Sequence, residues 1–308
     1  MIAAAPPIQV PIRSLYYIII AELSFSVHDV MVKFISSGYP VHEIVLIRSL
    51  VAIIPIFLII WWRGGLASLK TKYYFRHVIR SLLMFGAYIS FYLSLSALPL
   101  AVSVSLFFTG PIFITILSVL ALKERVVPSS WIAVFVGFLG VVIMLDPGSE
   151  VIDPAAFLAL LSALFYAAGS IMTRSLGRTE GSLSLVFHLM VVYIFLSSML
   201  GLVLKGAVVD GSTHASLAFF FRAWKMPACS DLVLFLCIGL VAAAGIYCLT
   251  QAYRLEEPSK IAPFEYMAVP LSALWGWIFW NDVLGLPTVI GIILISGSGL
   301  YLFYRKGT

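Results

Sequence analysis

Long apolar runs dominate the chain, each closed by a short cluster of Lys, Arg, Pro or Gly. A helix crossing a bilayer needs about 20 apolar residues, and there its backbone must satisfy itself. Runs of that length predict ten helical spans: 14–36, 43–62, 81–97, 100–122, 129–146, 154–173, 182–204, 231–253, 261–280 and 287–304. The one long connection, 205–230, holds Phe219, Phe220, Phe221 and Trp224 and reads as an amphipathic segment lying flat at the interface. Residues 1–12 are Pro-rich and lead into a long run containing charges, a pattern unlike a cleaved signal peptide.

Composition supports the same class. Of 308 residues, 62% are hydrophobic and 11% charged, against about a quarter charged in an ordinary soluble domain. Soluble, disordered, collagenous and disulfide-rich chains each need a different balance. The expectation is an all-α polytopic membrane protein with short loops and no room for a soluble catalytic domain. The net charge of +5 reflects where Lys and Arg sit. The N-terminus, alternate loops and C-terminus, from Arg13 to Lys306, hold 14 of the 19; the opposite loops hold Lys205, Arg222 and Lys225, and Lys33 and Arg48 lie inside spans. Positive charge marks the cytoplasmic side, so both termini are expected there. The basic surplus then reports topology, with no nucleic-acid partner. Cys229, Cys237 and Cys248 lack metal-ligand spacing and read as packing residues.

The chain also repeats itself. At an offset of 159 residues Pro99 matches Pro258, Pro111 matches Pro270, Pro128 matches Pro287 and Gly140 matches Gly299. The matching positions divide the chain into two units, 1–148 and 149–308, of five spans each. An odd number of spans inverts the second unit relative to the first. Inverted repeats characterise secondary transporters, whose sites lie near the midplane between the halves.

Ionisable residues inside spans are expensive and mark pathways or sites. Glu22, Ser26, Asp29 and Lys33 recur at helical spacing on one face of the first span. That face should point into the protein or a water-filled cavity. His28 lies beside this stripe and points to a different face from Asp29. Arg48 is the expected partner of Asp29 or Glu43, and Lys33 the expected snorkelling residue. Spans four and nine are interrupted at corresponding places, by Gly110-Pro111 and by Pro263 with Pro270. Glu265 and Tyr266 fall between the last two prolines. Aromatic residues (Phe25, Phe85, Tyr88, Phe107, Phe108, Tyr166, Tyr247, Tyr266 and Trp275) collect near these points and suit a flat or amphipathic ligand through stacking and cation–π contacts. The candidate substrate-binding or coupling set is therefore Glu22, Phe25, Asp29, Phe85, Tyr88, Phe108, Tyr166, Tyr247, Glu265 and Tyr266. No nucleophile–base pair, phosphate-cradling loop or metal spacing appears, so an enzyme, a cofactor and a metal are not expected. The small-residue tracts Ala242 to Gly245 and Ser296 to Gly299 suit close helix packing, within the chain or in a homodimer.

The segments HDVMVKFISSGYPVHEIVLIRSLVA, IAPFEYMAVPLSALWGWIFWND and LPLAVSVSLFFTGPIFITILSVLALKERV are similar to those of EamA-type members of the drug/metabolite transporter superfamily. The resemblance covers essentially the whole chain and is nearest to a bacterial branch that includes S-adenosylmethionine and riboflavin uptake carriers. Family members close the fourth span on a carboxylate, here Glu124. The second repeat departs by ending on Asn281-Asp282 where Gly-Glu is usual. The resemblance implies a multi-pass carrier in the bacterial inner membrane, working by alternating access. Combined with the intramembrane carboxylates, it favours a cationic or zwitterionic amphipathic solute such as S-adenosylmethionine. Riboflavin or another neutral aromatic metabolite is the alternative, with amino-acid or metabolite export and a non-transporting scaffold behind it.

Overall fold

In a bilayer an apolar run has no partner for its N–H and C=O groups except itself, so it becomes helix. The computed structural model describes residues 12–63, 65–122, 128–145, 153–177, 179–205, 214–255 and 264–306, and among these there is no strand. The long helices are α1 (Ile12–Ile35), α2 (Val41–Arg63), α3 (Tyr74–Leu95), α4 (Leu100–Phe107), α5 (Gly110–Leu122), α6 (Pro128–Leu145), α7 (Ala155–Leu176) and α8 (Ser182–Val203). After the short α9 (Ala215–Phe221) come α10 (Cys229–Leu255), α11 (Ala268–Trp280) and α12 (Leu286–Lys306). Among the described residues five segments are long and apolar enough to cross a membrane: Val41–Trp62, Tyr74–Leu95, Ala155–Thr173, Ser182–Val203 and Cys229–Ala252. The first helix carries its polar stripe, and the fourth and ninth segments are broken, so those three do not qualify on length and apolarity.

The helix pairings show how the two halves meet. Contacts between the halves include α1 with α10, α3 with α7, α2 with α8, α6 with α12, and α4 with α11. Exchanging the first five segments for the second five turns α1–α10 into α7–α3 and leaves the other three pairs unchanged. The contact pattern therefore has the two-fold symmetry expected of two similar halves packed face to face. Small residues allow the closest approach. A Cβ built on Gly140 of α6 would lie 2.8 Å from Leu294 Cβ, and one on Gly291 of α12 would lie 2.8 Å from the Gly140 carbonyl. Gly245 of α10 receives the Phe25 ring of α1 in the same way.

Polarity runs inside out. Trp62, Phe135, Phe195, Leu202 and Val203 are exposed, while Glu22, His28, Arg48 and Arg80 are buried. An apolar exterior around a polar interior suits lipid as solvent.

Two expectations are corrected. The third helix starts at Tyr74, seven residues before the expected 81, which brings Arg76 and Arg80 out of the loop and into the helix. Arg80 is a buried clamp: its Nη2 donates to the Leu185 carbonyl at 2.6 Å and its Nη1 to Thr173 Oγ1 at 3.3 Å. The connection before α10 also does more than lie at an interface. Phe219 enters the core, Ser216 Oγ donates to the Leu93 carbonyl at 2.6 Å, and Arg222 Nη1 donates to the Ser36 carbonyl at 2.6 Å. Burying the Phe219 ring, 1% exposed, holds this seven-residue helix against α3 and the core.

Candidate functional site

The 4-3-4 spacing on α1 does turn one face inward. Glu22 and Ser26 are buried, Asp29 and Lys33 half-buried. The seven residues from Glu22 to Asp29 rise about 10 Å along the helix, so the stripe forms a polar column with different partners at each level. At the Glu22 level, the Glu22 and Glu265 carboxylates lie within electrostatic reach of one another and of Tyr166 on α7. One turn on, Trp275 Nε1 of α11 donates to Ser26 Oγ at 2.5 Å. At the far end Lys33 Nζ donates to the Leu98 carbonyl at 2.6 Å and stands 5.2 Å over the Trp280 ring. Lys33 thus ties α1 to the α3–α4 connection.

The Asp29 level is a cluster of rings. The Tyr92 hydroxyl of α3 donates to Asp29 Oδ1 and lies 2.8 Å from His28 Nδ1. With the single hydroxyl proton directed at Asp29, the His28 contact must be donated by Nδ1–H. His28 and Asp29, expected on different faces, therefore meet at one hydroxyl, Nδ1 standing 3.5 Å from Oδ1. Neighbouring residues on a helix diverge at Cβ, but a group reaching in from a second helix touches both. Tyr88 packs on Tyr92 with ring centroids 4.2 Å apart, Phe85 on Tyr193 at 5.3 Å, and Arg48 of α2 lies 4.2 Å over Tyr88 and 5.6 Å over Tyr193. Arg48 has no carboxylate partner among the described residues. The ion pairs there are His28–Asp29, His77–Glu180 and His214–Asp153. Arg48 is thus paired with neither Asp29 nor Glu43, and Glu43 instead accepts from the Lys225 backbone N–H at 3.3 Å.

Around the Glu22 level the two broken helices face each other. Helix α4 ends at Phe107, the turn Phe108–Thr109 follows, and Gly110 opens α5 with Pro111 in its first turn. Phe264–Glu265, the turn Tyr266–Met267 and α11, with Pro270 in its first turn, repeat the pattern. Each proline lacks the N–H that would bond the carbonyl four residues back, that of Phe107 or of Tyr266. The chain substitutes shorter bonds: Thr109 N–H to Leu106 at 3.1 Å in one half, Val269 N–H to Tyr266 at 3.2 Å in the other. The expected interior kinks are therefore complete breaks just ahead of the prolines, where a proline is tolerated at a helix start. Pro263, also expected to kink the helix, lies outside the described residues, as does Glu124. The breaks touch: Phe108 and Tyr266 have ring centroids 5.1 Å apart, and the Tyr266 hydroxyl is 3.5 Å from the Phe108 carbonyl. Tyr166 joins them through Phe107, at 5.1 Å.

The structure so gathers Glu22, Glu265, Tyr166, Phe108 and Tyr266 around the breaks, and Asp29, Tyr88 and Phe85 beside α3. Phe25 packs against Gly245, and Tyr247 lies half-buried two residues further along α10. Tyr92 and Tyr193 belong to the cluster but were not singled out. The i, i+4 spacing of Tyr88 and Tyr92 was a legible signal; Tyr193, alone on α8, left none. No group of three His, Cys, Asp or Glu suited to a metal occurs among the described residues.

Residues 12–146 and 153–304 each match the EamA-like transporter family. A riboflavin transporter of Rhizobium johnstonii is 32% identical over 244 residues, covering 79% of this chain and 75% of that protein. An S-adenosylmethionine uptake transporter of Rickettsia prowazekii is 24% identical over 298 residues, covering 96% and 94%. A crystal structure with 18% identity matches at a TM-score of 0.63, over 95% of this chain and 97% of that one, and shares the fold.

Proposed function

The chain belongs to the EamA-like transporter family, and from that premise we propose that this multi-pass membrane metabolite transporter carries a cationic or zwitterionic amphipathic solute, such as S-adenosylmethionine, by alternating access. All ten helical segments cross the bacterial inner membrane in this reading, with both termini in the cytoplasm. The repeats 1–148 and 149–308 rock about the crossing of their broken helices.

One observation carries the substrate class. Glu22, Asp29 and Glu265 bring three carboxylates into the interior of a helical membrane protein, among Phe108, Tyr166, Tyr266 and Tyr88. Each carboxylate costs about 2.5–3.5 kcal/mol on insertion scales, and a cation stacked between rings and acid groups offsets that cost. A riboflavin carrier is the second reading. It is favoured by the ring-lined breaks and by the 32% identity to a protein named as a riboflavin transporter.

Thermal unfolding of the purified protein separates the substrates. S-adenosylmethionine at 100 times its Kd should add about 2.7 kcal/mol of stability. Glu265→Gln should abolish that gain and lower uptake into proteoliposomes without impairing the fold. Undiminished transport by this variant removes Glu265 from the mechanism. Stabilisation by riboflavin with silence towards S-adenosylmethionine keeps the carrier and discards the cationic substrate.

A further inference from the structure

Arg48 is 3% exposed, and its Nε and Nη2 have no hydrogen-bond partner among the described residues. His28 Nε2 is likewise buried and unpartnered, and the buried Tyr88 hydroxyl, close to Tyr92 and Arg48, makes no hydrogen bond of good geometry with either. These four atoms belong to side chains in mutual contact: Arg48 lies on Tyr88, and Tyr88 meets His28 edge-on at 6.3 Å. Buried polar groups almost always find a partner, and a cluster that does not is the usual sign of an absent ion, water or ligand. A guanidinium cannot escape by losing its proton, and an uncompensated buried charge costs several kcal/mol. Arg80 shows what a structural arginine looks like in the same protein. Equally buried, it spends Nη1 and Nη2 on Thr173 and Leu185, leaving only Nε unpaired.

We infer that Arg48, assisted by the Tyr88 hydroxyl, is the binding site for a carboxylate on the transported solute, which makes that solute a zwitterion and not a simple cation or a neutral ring. Nε and Nη2 are the two donors along one edge of the guanidinium, the edge that grips a carboxylate with two parallel bonds. Stacking on Tyr88 and Tyr193 holds the plane of the group and leaves that edge free. The opposite charge stands apart in the same cluster. Asp29 is engaged by Tyr92 and His28, not by Arg48, so acid and base remain available to the two ends of an α-amino acid group. His28 Nε2, left without a proton by the Tyr92 bond, is an acceptor for the ammonium. The side chains are buried in this conformation, so the solute enters through the opening that alternating access provides. The inference rests on the transporter reading above.

Isothermal titration of the full-length protein with S-adenosylmethionine and with its decarboxylated analogue tests it. The wild type should prefer the carboxylate-bearing ligand at least tenfold. Arg48→Gln should bind both with the weaker affinity, the difference between them gone. Equal wild-type affinities overturn the Arg48 assignment while leaving the cation carrier in place, and need no folded variant. If chloride stabilises the wild type but not Arg48→Gln, and the two ligands bind alike, the site holds a free inorganic anion and the solute assignment falls. Binding of riboflavin alone overturns both the substrate class and the carboxylate site.

Discussion

Replacing Tyr92 by Phe isolates one hydroxyl. The ring keeps its packing on Tyr88 at 4.2 Å and on Phe91 at 5.1 Å, so only the hydrogen bonds are lost. Two groups lose their partner together: Asp29 Oδ1, and His28 Nδ1 at 2.8 Å. A bond to an ionised acceptor contributes about 1.5–3 kcal/mol, and a buried group left unsatisfied costs about 1–3 kcal/mol. His28 Nε2 already lacks a partner, so the imidazole would then keep only its longer 3.5 Å contact with Asp29 Oδ1. Because both losses pass through one oxygen they do not simply add, and a destabilisation of about 2–4 kcal/mol is expected. Reversible denaturant unfolding in bicelles measures it. A double-mutant cycle with His28→Leu locates it: the second substitution should cost at least about 1 kcal/mol less in the Tyr92→Phe background. A Tyr92→Phe protein within about 0.5 kcal/mol of wild type, or strictly additive losses, would refute the shared-hydroxyl account.

Gly140→Ala and Gly291→Ala should each lower stability by about 1–3 kcal/mol. The new methyls meet backbone or Cβ atoms at 2.7–2.8 Å, which no rotamer change relieves. Gly297→Ala, with nothing within 4 Å, should be neutral or stabilising by up to about 1 kcal/mol, and equal thermal shifts for all three would sink the close-packing argument. In the connection after α1, Tyr39 donates to Asp231 Oδ2 at 2.6 Å, which with some desolvation holds its hydroxyl above the usual tyrosine range. The contribution is complete below the ordinary value near about 10 and fades as pH rises through the raised one. The wild-type unfolding midpoint should thus fall in strong alkali more than that of Tyr39→Phe, and parallel pH curves would contradict this.

Much of this was legible in the chain. Apolar runs in a bilayer have only the helix open to them, so helical segments could be placed to within a few residues, apart from the early start of α3. A 3.6-residue period forces Glu22, Ser26 and Asp29 to share a side, and charge forces that side inward. The recurrence at 159 residues likewise anticipated two breaks in matching places, because proline removes the same backbone bond wherever it stands. What each inward side meets was decided only by tertiary structure. Periodicity says which face is buried and nothing about the helix opposite. The joining of His28 and Asp29 through Tyr92, the stacking of Arg48 on two tyrosines in place of a carboxylate, and the Phe219 anchor all depend on side chains from distant segments. Those partners are chosen by how the two halves pack, where small residues let helices approach and bulky rings fill what remains. An arginine inside an apolar run could be read as charged and buried, but that its donors lack partners is a property of the packed helices alone.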